Sequence, residues 1–157
     1  MWIVLYVAIG FVLLVILAVG LILVTHVEDW SRDLTINYAA TSDNATDSRL
    51  RTLKVPLGPG DFAALVTKSA QSIPRWELVE EAQAGGAIQL HFVRTTGLVG
   101  YKDDIRVRIE PAGEGSRLAA ESQSRIGKGD LGQNPRNLRE LLGRVRASLP
   151  SSVRSGD

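Results

Sequence analysis

From Met1 to Val24 the chain runs without a charged residue or a proline, and 17 of these 24 residues are Leu, Ile, Val or Phe. As an α-helix rising about 1.5 Å per residue, the run is about 36 Å long, enough to cross a hydrocarbon layer of about 30 Å with some tilt. Each large aliphatic side chain favours insertion by roughly 0.3–0.6 kcal/mol at mid-membrane, so the pattern predicts a transmembrane anchor at residues 1–25. A cleaved signal peptide is the rival reading. It calls for a basic leading region, a shorter apolar stretch and small residues at a cleavage site, and this run shows none of them. Trp2, Tyr6 and Trp30 fall near the two ends, where amphipathic rings settle at the headgroup level.

Beyond the anchor the pattern changes. Thr35 to Ser48 is rich in Thr, Asn, Asp, Ala and Ser with little apolar periodicity, so residues 26–48 read as a tether. Residues 49–150 read as one α+β domain and residues 151–157 as a frayed tail. Leu53, Val55 and Leu57 alternate with Thr52, Lys54 and Pro56, the period of a half-buried strand, and Pro56 points to a sheet edge. Asp61 is the expected N-cap of a helix that aligns Phe62, Leu65, Val66 and Ile73, and Pro74 stops it.

Strands are expected at Trp76–Glu81 and Ile88–Thr95, joined through Gly85-Gly86, then around Ile105, Val107 and Ile109, and from Arg117 to about Arg125. These four make an antiparallel meander. Leu138, Leu141, Leu142, Val145 and Leu149 then recur at helical spacing, with Asn134 as expected N-cap and Pro135 at the first helical position. The predicted fold class is α+β: an N-terminal transmembrane helix followed by an antiparallel sheet with two helices packed on one face.

Composition narrows the function. All 18 Lys and Arg and all 17 Asp and Glu lie beyond the anchor, so the domain carries the whole formal charge of +1. That balance argues against nucleic acid as a partner, since phosphate binding needs a marked basic excess. Absence of cysteine removes a disulfide framework and the usual zinc spacings, and His26 and His91 are too differently placed to share a metal. Only Arg32 follows the anchor within about 15 residues, which by itself favours a cytoplasmic domain.

The chemistry-bearing residues gather late in the chain. Asp103 and Asp104 are strand neighbours and point to opposite faces, so they do not share a proton. Asp103 has the parity of Ile105 and faces the core, where it needs a cation or backbone donors; Arg125 is the expected partner. The Gly127–Gly132 loop, with Lys128 and a following helix N-terminus, has the makings of an anion cradle. It lacks the Gly-Lys-Ser/Thr ending of a P-loop, and Asp130 repels an anion unless Arg125 or Arg136 pairs with it. Glycines permitting a sharp loop account for the same residues without a ligand. Ser122 and Ser124 share a face with Leu118 and Ala120 and read as small residues beneath a helix, not as nucleophiles. The expected site is therefore a polar cluster of Asp103, Asp104, Arg125, Lys128, Asp130, Asn134 and Arg136, read first as a structural latch, with no catalytic residue, metal or cofactor assigned.

That segment carries a resemblance. With Asp103-Asp104 before a strand and Ser124-Arg125-x-Gly127-x-x-Asp130-x-Gly132-x-Asn134 after it, and Arg136 near a basic position, the chain resembles the family catalogued as domain of unknown function 1499. It departs from the family's Cys-Val-Ser-Ser-like stretch, having Thr41-Ser42-Asp43 there. The resemblance implies no established activity, but the family's lumenal and envelope settings imply an extracytoplasmic, periplasmic or lumenal, domain. The expected function is a noncatalytic binding or accessory module, with the lipid bilayer and an envelope component or membrane complex as partners. The rivals are a hydrolase or transferase for an anionic or lipid substrate, with the polar cluster around a pocket, and an apolar-ligand carrier with a cavity between sheet and helix.

Overall fold

Strand alternation and helical stripes meet around one core in the computed structural model, which describes residues 2–27, 29–97 and 100–154. Helix α1, Trp2–His26, is apolar all round and long enough to cross a membrane, and its described side chains are nearly all exposed. A one-turn helix α2 follows at Trp30–Asp33, with the Asp29 carboxylate accepting from the Arg32 amide.

The meander forms in the expected order: β3 Trp76–Ala84, β4 Ala87–Thr95, β5 Lys102–Ala112 and β6 Gly115–Ser124 pair antiparallel in sequence. Gly85 and Gly86, at φ of 59° and 80°, make the tight β3–β4 turn that side-chain-bearing residues would resist. The outer edge of β6 is shared end to end by two short strands, β1 Tyr38–Ala40 and β2 Leu53–Val55. The stretch read as a tether thus contributes α2, β1 and, at Ser48–Leu50, a single 3-10 turn. At the opposite edge β3 is kinked by a register shift between Leu78 and Glu80, and Glu77, Glu80 and Glu81 charge that strand, as edges often are.

Two helices, α3 Pro59–Gln71 and α4 Gln133–Ser148, cover one face of the sheet. Phe62 and Val66 of α3 and Leu138, Leu141, Leu142 and Val145 of α4 meet Phe92, Ile105, Ile109 and Leu118, all fully buried. Each such side chain contributes about 1.5–3 kcal/mol by leaving water. A four-residue helix, α5 Ser151–Arg154, follows in the expected tail, and residues 155–157 lie outside the described residues.

Both expected N-caps are displaced. Helix α3 is capped by Gly58, with Pro59 opening it and Asp61 in the first turn. Helix α4 is capped by Gly132 at φ 74°, so Asn134 and Pro135 lie inside the first turn. The capping carboxylate comes from Asp130, which accepts from the amides of Gly132 (2.9 Å) and Asn134 (2.6 Å). A side chain that reaches forward to two free amides leaves Asn134 available for another task.

Candidate functional site

Alternation along β5 sends Asp103 and Asp104 to opposite sides of the sheet, and the polar residues accordingly divide into separate groups. On the core side Asp103 is buried, as its parity with Ile105 requires. Its partner is Asn137 on α4, whose amide donates at 2.9 Å, and not Arg125. The register explains the difference: Asp103 pairs with Ser124 on β6, so Arg125, one residue further, belongs to the other face.

Around Asn137 the buried groups satisfy one another. Asn137 also donates to Ser122 Oγ at 3.0 Å and accepts from Gln133 at 2.6 Å and from Arg94. Ser122 Oγ donates to Asn134 Oδ1 at 2.6 Å, and Asn134 Nδ2 donates to the Asn37 carbonyl at 2.8 Å and to Ser124 Oγ at 3.1 Å. Asn37 Nδ2 in turn donates to the Gly127 carbonyl at 2.6 Å. The two serines expected as small packing residues are thus hydrogen-bonding members of a network that ties β5, β6, α4 and the stretch before β1 together. Unmade, each such buried bond would cost about 1–3 kcal/mol.

On the open face Asp104 sits between two partners. Arg125 grips it with two nitrogens, at 2.8 and 2.7 Å, and His91 Nε2 lies 2.8 Å from Oδ1. The guanidinium first, with the imidazole assisting, holds the Asp104 carboxyl down at about 2 despite partial burial, which acts the other way. A carboxylate so held is ionised throughout the neutral range and is poorly matched to acid–base work. Beside it a groove of about 420 Å³ runs over the uncovered strands, with Ala40, Ala82 and Ala119 at its base and His91, Arg106, Arg108, Glu80 and Glu121 along it. Arg106 lies 3.7 Å from Glu121, and with Arg108 and Glu80 beside them the groove is lined by charges of both signs. Nothing in the spacing of the sequence marked this groove, because its residues come from five strands; the face as a whole was legible from the polar half of each alternation.

The loop between β6 and α4 packs on the chain leaving α1. The amides of Asp130 and Leu131 donate to the Asp33 carbonyl at 3.1 and 2.9 Å. A Cβ on Gly129 would lie 2.4 Å from the Leu34 backbone, and one on Gly132 would lie 2.8 Å from the Asp33 carboxylate and 3.0 Å from Arg136. Asp33 is fully buried and accepts from Arg32 at 2.6 Å. Of the expected cluster, Lys128 is exposed in the loop, and Arg136 lies over Gln133 at 3.4 Å and beside Gly132. Asp103, Asp104, Arg125, Lys128, Asp130, Asn134 and Arg136 therefore do not converge on one pocket.

A further ion pair escaped the sequence reading. Arg139 of α4 reaches Asp47 at 2.7 Å, and that carboxyl is held well below its ordinary value by Arg49 first, with Arg139 assisting. Among the described residues no three His, Cys, Asp or Glu side chains are placed to hold a metal ion.

Residues 28–145 match the model of the family described as "Protein of unknown function (DUF1499)". No curated protein matches the chain. Among solved structures, the one described as "Crystal structure of Ara h 8.0201" aligns with a TM-score of 0.36 at 14% identity, covering 70% of this chain and 97% of that one, a likeness too slight to bear on function.

Proposed function

The chain belongs to the family of unknown function DUF1499, and on that footing we propose that it is a single-pass membrane protein whose α+β domain is a noncatalytic binding or accessory module at the cell envelope, on the extracytoplasmic side. The observation that carries the reading is how the motif is spent: Asp103, Asp130 and Asn134 bind one another's segments, and Asp104 is locked by Arg125 and His91. Such mutual pairing favours a scaffold over a reacting centre, because these groups hold the domain's own segments together instead of converging on one cleft. The uncovered sheet face, with its groove of mixed charge, is the surface left for an envelope component or a neighbouring membrane complex.

Membrane anchoring rests on α1, whose 25 residues reach about 37 Å as a helix. The test has three arms. Full-length protein should stay with membranes after alkaline washing and keep residues 1–25 by mass spectrometry; a mature protein lacking them would make the run a signal sequence. Protease should reach the domain in spheroplasts and not in inside-out vesicles. A turnover screen should find no activity; specific turnover that disappears in folded Asp104→Ala and Arg125→Ala would overthrow the module reading.

A further inference from the structure

Outside α1, the exposed large apolar side chains among the described residues number eight, and six of them gather at one end of the domain: Trp30, Leu34, Ile36, Tyr101, Ile126 and Leu131. The connections place them there. Tyr101 precedes the start of β5, and Ile126 follows the end of β6, at the same end of the sheet, where the Arg125 amide bonds the Lys102 carbonyl at 3.0 Å. The bonds of the 130–131 amides to the Asp33 carbonyl bring Leu131 to the segment that carries Leu34, and Trp30 and Ile36 flank that segment in sequence.

This end is also where the chain emerges from α1. Three residues lie between His26 and Trp30, so the four steps span at most about 14 Å even if fully extended. Asp33 and Leu34 are then packed on the 129–131 backbone, so the loop is held close to the point where the apolar helix ends. Ile126 is 64% exposed and Trp30 50%. Apolar surface gathered in this way marks a contact, and here lysines Lys102 and Lys128 stand exposed within it. Apolar tips with basic neighbours suit the headgroup boundary of a bilayer, where stems bury and ammonium groups reach outward. Leu131 adds an independent sign. It holds φ 52°, a left-handed conformation in which glycine or asparagine is at ease, yet a large apolar side chain stands there facing outward.

We infer that this end of the domain is a second membrane contact: Ile126, Leu131, Leu34 and Trp30 dip into the headgroup region of the same bilayer that holds α1, fixing the domain's tilt on its membrane. The inference rests on the anchoring reading above, and the experiment separates the two. The chain has no cysteine, so single-cysteine variants Ile126→Cys, Leu131→Cys, Val79→Cys and Leu14→Cys of the full-length protein are nitroxide-labelled in vesicles of phosphatidylcholine with a minority of phosphatidylglycerol. Relaxation by oxygen, which partitions into lipid, is compared with relaxation by a water-soluble nickel chelate. Labels at Ile126 and Leu131 should favour oxygen as the α1 label at Leu14 does, while Val79, exposed on edge strand β3, favours nickel. If the Ile126 and Leu131 labels match Val79 while Leu14 reports lipid, the second contact is overturned and the anchor stands. If they lose access to both reagents, protein covers them and the inference fails. If Leu14 itself reports water, the anchoring reading falls and this inference with it.

Discussion

Replacing Asn134 by Ala removes a side chain that joins three segments of the domain at once. Its oxygen accepts from Ser122 at 2.6 Å and its nitrogen donates to Asn37 at 2.8 Å and Ser124 at 3.1 Å, all with Asn134 fully buried. Ser124 is partly exposed and can turn to water, and the Asn37 carbonyl keeps the Ser124 amide at 3.1 Å, but the buried Ser122 hydroxyl loses its acceptor. One buried group left short, within the usual range of about 1–3 kcal/mol, gives a loss of about 2 kcal/mol. For a domain of this size, unfolded by urea with a slope of about 1.5 kcal/mol per molar, the midpoint should fall by about 1.3 M. The titration is run on the full-length protein in detergent, following the fluorescence of Trp76, buried against Phe92 at 6.1 Å between ring centroids. A midpoint shift worth less than about 1 kcal/mol at unchanged slope would refute the view that this amide is the junction of the fold. Ser69→Ala is the matched control: its hydroxyl is buried on α3 without a hydrogen-bond partner, so removing it should leave stability unchanged or raise it by about 0.5–1 kcal/mol.

Asp104→Asn should cost about 1 kcal/mol at neutral pH. The full shift of its carboxyl from 3.8 to about 2 corresponds to at most about 2.5 kcal/mol, and Arg125, 44% exposed, is screened by solvent. Because the folded value is the lower one, the deficit is present above about pH 4 and should vanish as the pH falls towards 2; an undiminished deficit there would contradict the ion-pair origin. Gly129→Ala forces a methyl to within 2.4 Å of the Leu34 backbone, and should free the Asp130 and Leu131 amides from Asp33. At about 2 kcal/mol of local stability this means roughly 30-fold faster amide exchange there, with β4 and β5 unaffected. Leu131→Asn relieves the left-handed backbone and should stabilise the domain by about 0.5–1 kcal/mol in detergent, as read by urea midpoint; a loss would mean that the leucine is packed by the domain itself.

The meander was legible because both of its signals are local. Ile105, Val107 and Ile109 alternate with charges, and Gly85-Gly86 supplies the positive φ that a two-residue hairpin turn demands, so the strands and their order follow from neighbours in sequence. Strand β1 was not legible: three residues in a polar stretch become a strand only because the edge of β6, more than 80 residues later, offers them hydrogen bonds. The same limit governs the site. The parity of Asp103 with Ile105 was enough to bury it, yet naming its partner needed the register of β5 on β6, which sends Arg125 to the far face and leaves Asn137 opposite. The register was partly within reach, since Ser122 and Ser124 were already placed on the face of Leu118 and Ala120, which puts Arg125 on the other. Asn134 misled for a different reason. Asn before Pro is a strong capping signal, and only the loop geometry reveals that Asp130 reaches the free amides first.

The spaced motif then has a physical sense that a list of matched positions conceals. Its members act on segments far apart in the chain: Asn134 on Asn37, the 130–131 amides on Asp33, Asp104 on Arg125. Two of these three links end on the stretch just after α1, which reads from sequence as a tether. A true tether would let the domain tumble over tens of ångströms above a bilayer. Here the stretch is bonded to the β6–α4 loop within a few residues of the apolar helix, and Gly129 is the residue whose missing side chain lets the two backbones touch. Hydrogen bonds set angles as well as distances, so these links fix the stretch from Asp33 to Asn37 in one orientation on the domain. The motif's geometry is thus that of a clasp between the β6–α4 loop and the chain that follows a helix of membrane-spanning length.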